Sequence, residues 1–322
     1  MLDAKLRSPK ERPLFILAVA ISAVAWIALV VSVIGLVYGA FVLVFILAAH
    51  ALFLAHVHGN GVQLSERQMP ELYARCKAAA RKLGMEETPE IYVLQSGGVL
   101  NAFATKLLSR RLVIINSGLL DACADSRQLD FVIGHELGHL AAGHLQWNAV
   151  LLPFHLVPLL GAAYSRAREY TCDRVGLAVV GELEPALRGL VVLAAGGKIA
   201  GQVDLDAFIA QRKESGGFWM SVLELSSSHP FLTKRAAALQ EMQQPGTLGA
   251  VPRHPLAYPL APFVGFAATG AGGAGAGLVV VAILGILAAI AIPNFKKFQE
   301  RARAAQALHQ SSRAAPAEPP TH

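Results

Sequence analysis

Charged side chains are scarce in this chain: they make up 16% of its 322 residues, against 54% hydrophobic, where an ordinary soluble domain carries about 25%. From Leu14 to Leu54 there is no Asp, Glu, Lys or Arg at all. As one helix rising 1.5 Å per residue, this stretch would be about 60 Å long, twice the roughly 30 Å hydrocarbon core of a bilayer. Two spans of about 20 residues, turning near Gly35–Gly39, fit it. A cleavable signal peptide does not, because its apolar core is only about 7–15 residues long. Cysteine is scarce too. Cys76, Cys123 and Cys172 are odd in number and have no close metal-type spacing, which argues against a disulfide framework and fits a reducing compartment. The net charge is +6, yet the basic residues gather into no patch with interleaved aromatics, so nucleic acid is not an expected partner. Juxtamembrane Lys and Arg account for the excess. The basic start, with Lys5, Arg7, Lys10 and Arg12, places the N-terminus in the cytoplasm, and a hairpin over 14–57 returns the chain there.

What the chain does have is Phe131 to His144, FVIGHELGHLAAGH. Within it His135-Glu136-Leu137-Gly138-His139 is an H-E-x-x-H. Residues four apart share one face of a helix, so His135 and His139 can offer two imidazole nitrogens to one metal ion with Glu136 beside it. Zn²⁺ held this way keeps a position open for water, and Glu136 can take that water's proton as it attacks a peptide carbonyl. Asp125 and Ser126 are suitable N-caps for the helix. A surface helix with two incidental histidines is the competing reading of the motif alone. The longer signature with a third histidine needs Gly at 142 and His at 145, where this chain has Ala142 and Leu145. The third ligand must come from elsewhere.

Ser165 to Arg174, SRAREYTCDR, offers it. Glu169 and Asp173 are four apart on a second apolar-flanked helix. Glu169 completes a His₂Glu zinc set. Asp173 can accept a hydrogen bond from a ligand histidine's other ring nitrogen, or anchor an arginine. Arg166, Arg168 and Arg174 make an ordinary charged helix face the alternative, but Glu169 follows His139 by 30 residues, and that proximity to an H-E-x-x-H favours the ligand reading.

These two segments together resemble the HtpX-like membrane zinc metallopeptidases, relatives of the CAAX prenyl endopeptidases. Two further pieces are similar: Asn101-Ala102-Phe103-Ala104, and His229-Pro230 with Arg235 six residues after the histidine. The resemblance covers roughly Glu66 to Gln243 and the hairpin before it. It implies one Zn²⁺ held by His135, His139 and Glu169, with Glu136 as catalytic base. It also implies that His229 is a transition-state donor near the metal, that Arg235 pairs with Asp173, and that Asn101, Ala102, Phe103 and Ala104 lie along the substrate. Cys172 departs from the pattern, where a small residue such as Ala is expected; a small buried side chain is its simplest role.

The remaining segments set the organisation. Glu66–Leu83 is helical in periodicity, and Ile91–Leu94 and Arg111–Ile115 read as short β-branched strands. The expected sheet has an edge beside the cleft, where an extended peptide can add by main-chain hydrogen bonding. Gly59-Asn60-Gly61 reads as a loop. Gln146–Tyr164 is apolar and as long as a span, but crossing would put His139 and Glu169 on opposite sides of the membrane. It therefore docks on the bilayer, re-enters it, or belongs to the soluble core. Further helices are expected over 184–195, 204–212 and 231–242, with 218–225 leading into Ser228-His229-Pro230.

The expected division is a basic tail (1–13), the hairpin (14–57), a zinc metallopeptidase domain (62–244), a Pro/Gly/Ala linker (245–277), a C-terminal membrane helix (278–293), and a tail that is basic and then disordered (294–322). The linker's Gly270, Gly272 and Gly275 match G-x-G-x-x-G by chance, with no strand before them and no acid about 20 residues on. The last helix resembles the type IV pilin membrane segment, except that Ala276 stands where pilins carry a glutamate, and Gly285 with Ala289 can pack against a second copy.

The fold class is α+β and mostly helical: a zincin-type domain with a small sheet. The function expected is endopeptidase cleavage of membrane or membrane-associated proteins, with quality control implied by the resemblance. The enzyme would be multi-pass in the inner (cytoplasmic) membrane, its catalytic domain facing the cytoplasm, its partners being the membrane and protein or peptide substrates. An inactive scaffold assembling through the pilin-like helix, or prenyl-protein processing, are the alternatives.

Overall fold

The structure is a computed structural model that describes residues 2–95, 97, 99–107, 110–268, 297–300 and 303. The chain divides into two compact units, 1–265 and 266–322. In the second, residues 297–300 are helical; the expected span over 278–293 and the glycine run before it lie outside the described residues.

Two long apolar helices come first, α1 (Glu11–Val31) and α2 (Val33–Asn60), both long and apolar enough to cross a membrane. Their apolar side chains face outward: Val24, Phe41 and Phe45 are about 70% exposed. The turn sits at Ser32, not at Gly35–Gly39. Ser32 has extended backbone and its Oγ accepts the Gly35 N–H at 3.1 Å, the usual N-cap device. Gly35 instead lets the helices close up, since a Cβ there would sit 2.9 Å from the Leu29 carbonyl oxygen. Helix α2 also runs through Gly59 and Asn60, where a loop was expected, and ends when the Gly61 N–H bonds to Val57 O.

A four-stranded sheet follows, of β1 (Val62–Gln63), β2 (Glu90–Leu94), β3 (Ala102–Leu107) and β4 (Arg110–Asn116), in the order β1-β2-β4-β3. The β2–β4 pair is parallel and the others antiparallel. Strand β3 opens with the Ala102-Phe103-Ala104 segment and forms one edge of the sheet. Helix α3 (Pro70–Lys82) is shorter than the 66–83 expected: Ser65 and Gln68 close a turn on each other's backbone, and Pro70 takes the first turn of the helix, where its missing N–H costs nothing. One face of the sheet joins α3, α4 (Ser117–Ala122) and α5 (Ser126–Ala141) in the main core. On the other face Leu54 and Val57 at the end of α2 pack on Tyr92, Leu112 and Ile114.

The Gln146–Tyr164 stretch forms turns, a short α6 (Leu152–His155) and the start of α7 (Leu160–Val180). It lies along α1. Trp147 packs edge-on to Phe15 at 5.4 Å, the Trp26 Nε1–H donates to Val150 O at 2.7 Å, and the Phe154 N–H donates to Ser22 Oγ at 3.3 Å. Beyond α7 come α8 (Leu183–Ala195), α9 (Gly197–Ala200), α10 (Leu205–Ala210), α11 (Phe218–Ser226) and α12 (Leu232–Gln243). Residues 257–268 form a further helix, α13, where a linker was expected; Ala257 and Ala261 are buried against Val222 and Leu225.

Helices α5 and α7 approach each other closely, and glycine makes it possible. A Cβ on Gly134 would meet Val179 Cβ at 2.8 Å, and one on Gly176 would meet the Phe131 carbonyl oxygen at 2.7 Å. Neither neighbour is a flexible side-chain tip, so any larger residue pushes the helices apart. Gly176→Ala should therefore lower stability by about 1–3 kcal/mol, read as a drop in melting temperature of the purified protein. Gly201→Ala, where a Cβ meets nothing within 4 Å, should leave it unchanged.

Candidate functional site

Helix α5 begins at Asp125, whose Oδ1 accepts the Arg127 N–H at 2.9 Å. One turn apart on its buried face, the His135 and His139 rings stand with centroids 5.2 Å apart. Across the glycine contact, α7 presents Glu169 and Asp173. His135 Nε2 lies 3.4 Å from Glu169 Oε2, and His139 Nε2 lies 3.4 Å from Glu169 Oε1. The other nitrogen of His135, Nδ1, is 3.0 Å from Asp173 Oδ1. Arg235, on α12, holds Asp173 in a two-pronged grip: Nε donates to Oδ2 at 2.8 Å and Nη2 to Oδ1 at 2.6 Å. Its Nη1 also stands 3.4 Å from Glu169 Oε2.

The electrostatics follow from burial. Glu169, Asp173 and Arg235 are at most 6% exposed. Burial by itself raises a carboxyl's pKa, but the His135 and His139 contacts hold Glu169 well below the ordinary value, and Arg235 holds Asp173 down. Glu136 behaves differently. Burial, helped by the Glu169 carboxylate, raises it above the ordinary glutamate value despite the two histidines, which suits a group that must accept and release a proton. With Nδ1–H of His135 directed at Asp173, its Nε2 is a lone pair facing a carboxylate oxygen. Such a set needs a cation or a proton between its members. Without a metal the proton goes to His135: burial opposes it, but Asp173 and Glu169 raise its pKa to about 10. Two imidazole nitrogens and a carboxylate, all converging and together short of positive charge, fit a divalent cation of the zinc class.

His135, His139 and Cys172 also present ligand atoms within 4.8 Å of one another. Cys172 belongs to the far side of this arrangement. Its Sγ is 3.7 Å from His144 Nδ1, and complete burial, reinforced by the Glu169, Glu136 and Asp173 carboxylates, drives its thiol pKa well above 9.0. Glu169, which faces both histidines, and Cys172 are thus the two candidates for a third donor.

A cleft of about 390 Å³ joins these residues to the sheet edge. Asn101, Ala102, Phe103 and Ala104 form one wall; Glu136, His139, His229 and Arg235 are among the others. His229 Nε2 is 3.6 Å from Glu169 Oε1 and its side chain is 67% exposed, so it stands at the mouth. Arg166 fastens its loop: one guanidinium nitrogen, Nη1, donates to the carbonyls of Glu224, Leu225 and Ser227 at 2.6–3.0 Å. Buried Glu224 adds ion pairs with Lys234 and Arg253 at 2.6 and 2.9 Å.

The fold therefore brings together every residue singled out in the sequence for catalysis, metal binding and substrate contact. It adds residues the sequence did not single out. Arg166 could not be told from any other charge on its helix face. His144, five residues after His139, is 3% exposed. It returns to His139 because Gly143 takes a positive φ of 78°, which glycine adopts without strain. Burial pushes the His144 pKa down to about 4.

Comparison with known proteins decides the family. Residues 66–154 and 147–243 match Peptidase family M48, more than half of the chain. The chain belongs to peptidase family M48. Within that family of metallopeptidases it is HtpX-like: a "Protease HtpX homolog" from Fusobacterium nucleatum is 25% identical over 210 residues, 51% of this chain and 66% of that protein. The "Plastoglobule-localized metallopeptidase 48, chloroplastic" of Arabidopsis thaliana is 29% identical over 208 residues, 57% of this chain and 60% of that one. The mitochondrial metalloendopeptidase OMA1 of Bos taurus is 34% identical over 92 residues, 29% of this chain and 16% of that protein. The chain thus spans under two thirds of the length of these relatives. No solved structure matches it.

Arg235→Ala leaves Asp173 and Glu169 buried without their cation. In metal-stripped protein it should cost about 3–5 kcal/mol in a urea denaturation curve. Arg235→Lys, which keeps the charge but not the two-pronged geometry, should recover part of that loss.

Proposed function

We propose that this M48 member is an integral-membrane, zinc-dependent endopeptidase acting on membrane or membrane-associated proteins. The observation that carries the proposal is the convergence of His135 Nε2 and His139 Nε2 on Glu169, each at 3.4 Å, beside a glutamate whose pKa is raised by burial. In this reading His135, His139 and Glu169 hold one Zn²⁺. The zinc supplies Lewis acidity and lowers the pKa of a water molecule to about 7.

The chain's own groups do the rest. Glu136 takes the proton as water attacks the scissile carbonyl and later delivers it to the leaving amine; its raised pKa favours the first transfer. His229, at the cleft mouth, donates a hydrogen bond to the oxygen that gains negative charge. Asp173, gripped by Arg235, fixes the ring of His135 and its tautomer. Strand β3 is the open edge beside the cleft, so its main chain can pair with an extended substrate, a mode that reads backbone more than side chains.

The membrane reading has structural support. The 147–154 segment touches α1 as far along as Trp26, about 22 Å from the helix start at 1.5 Å per residue. This contact with the apolar part of the first helix supports a reading in which the loop lies close to the bilayer. A site carried this close to the membrane meets membrane-tethered substrates at a raised local concentration. We place the catalytic domain on the cytoplasmic face, where the basic start of the chain also lies, and the domain itself at 62–244. The segment after residue 277 is read as accessory.

Zinc content and casein hydrolysis of detergent-purified protein test this. Wild type and Glu136→Gln should both hold one zinc, with hydrolysis lost only in the variant, by about 10³-fold or more. Glu169→Ala should lose the metal; full retention there would move the third ligand elsewhere. Hydrolysis that survives in Glu136→Gln would overturn the mechanism. Removing residues 270–322 should leave peptide hydrolysis within about twofold of wild type, and its loss would show that the last segment shapes the site.

A further inference from the structure

The two zinc-side histidines are not held alike. His135 has Asp173 on its Nδ1. His139 has no carboxylate there; its Nδ1 lies 3.1 Å from Nδ1 of His144. On the far side of that ring, His144 Nε2 is 3.3 Å from Glu11 Oε1, in charge contact though not aligned as a hydrogen bond. Glu11 is the first residue of α1 and is 3% exposed. Its two oxygens are fixed from outside: Arg7 Nη1 donates to Oε1 at 2.5 Å, and the Thr171 hydroxyl donates to Oε2. Thr171 in turn accepts the Ser8 N–H at 2.8 Å. Arg7 also spans to the catalytic helices, donating from Nη2 to Ala142 O at 3.0 Å and accepting from Arg174 Nη1 at 3.3 Å on its carbonyl.

The tautomers of this chain of groups are forced. If His139 presents the Nε2 lone pair to the metal side, its proton is on Nδ1 and donates to His144 Nδ1. His144 must then carry its own proton on Nε2, the atom that faces the Glu11 carboxylate. The His144 Nε2–H is in charge contact with the Glu11 carboxylate without an aligned hydrogen bond, and Cys172 Sγ also lies 3.7 Å from His144 Nδ1; the series still runs to a buried carboxylate, the kind of partner that a metal-ligating histidine ordinarily has directly.

We propose that Glu11, acting through His144, is a positioning residue for the metal centre, doing for His139 what Asp173 does for His135. The N-terminal segment before the first membrane helix is then part of the site and not merely its tether, and moving that segment off α5 and α7 loosens one metal ligand. This rests on the zinc reading above.

Zinc transfer from full-length, detergent-purified protein to a colorimetric chelator is the test, with melting of the zinc-stripped protein beside it. Glu11→Gln should weaken zinc retention about 10–100-fold. Glu11→Asp, which keeps the carboxylate, should stay within about threefold of wild type, and so should Lys10→Ala, the exposed neighbour. His144→Ala should match Glu11→Gln, and the double variant should be no worse than His144→Ala alone, because groups acting in series are not additive. The stripped Glu11→Gln protein should melt within about 2 °C of stripped wild type. The proposal is overturned if Glu11→Gln keeps zinc like wild type, if the two single effects multiply, or if the stripped variant melts much lower, since that would make Glu11 a fold residue. Wild type that holds no zinc overturns this inference and the zinc reading together; wild type that holds zinc while Glu11→Gln does likewise overturns this inference alone.

Discussion

The contact on which the rest of the structure depends is the close crossing of α5 and α7. Two imidazoles and a carboxylate can meet at 3.4 Å only if the helices that carry them nearly touch. Gly134 and Gly176 remove the side chains that would keep them apart. What the crossing brings together is electrostatically unbalanced: nitrogen lone pairs and a carboxylate face one another, surrounded by Glu136 and Asp173, with Arg235 as the nearest buried guanidinium. A packed core tolerates this only with a compensating cation, and Arg235 supplies part of it. Packing and charge thus arrive at the same requirement by separate routes.

Around that crossing the elements have distinct tasks. The sheet brings an open edge to the cleft. The α11–α12 connection carries His229 to the mouth, held by Arg166 through three carbonyls. The first helix, apolar on its outer faces, packs its inner side against the 147–154 segment and begins at Glu11, 3.3 Å from the Nε2 of His144 behind His139. Membrane anchor and catalytic domain therefore share polar contacts as well as apolar ones, an arrangement in which the position of one can be felt by the other.

Much of the site was legible before the fold was known, because helical spacing is local. His135 and His139 four apart, and Glu169 and Asp173 four apart, must share faces whatever the tertiary structure does. The strands expected at 91–94 and 111–115 announced themselves by β-branched runs, and each forms within a strand one or two residues longer. Other features were hidden for identifiable reasons. Ala102–Leu107 has no strong strand signal and becomes a strand through pairing along β4. The hairpin turns at Ser32 because a side-chain cap outweighs the flexibility of nearby glycines. Residues 257–268 look like a linker in composition, yet the small side chains Ala257 and Ala261 let them pack against Val222 and Leu225 as a helix.

The sequence by itself determined which residue types could perform hydrolysis, which stretches were apolar enough to span a membrane, and the order in which they follow. These rest on composition and on spacings of about one helical turn or one strand. Only the tertiary structure decided which nitrogen of each histidine faces Glu169, that Glu169 lines the cleft, that Gln146–Tyr164 runs along α1, and that His144 and Glu11 stand in line behind His139. Those are contacts between residues far apart in the chain, 133 positions for Glu11 and His144, set by how helices cross and what they bury, and no local pattern encodes them.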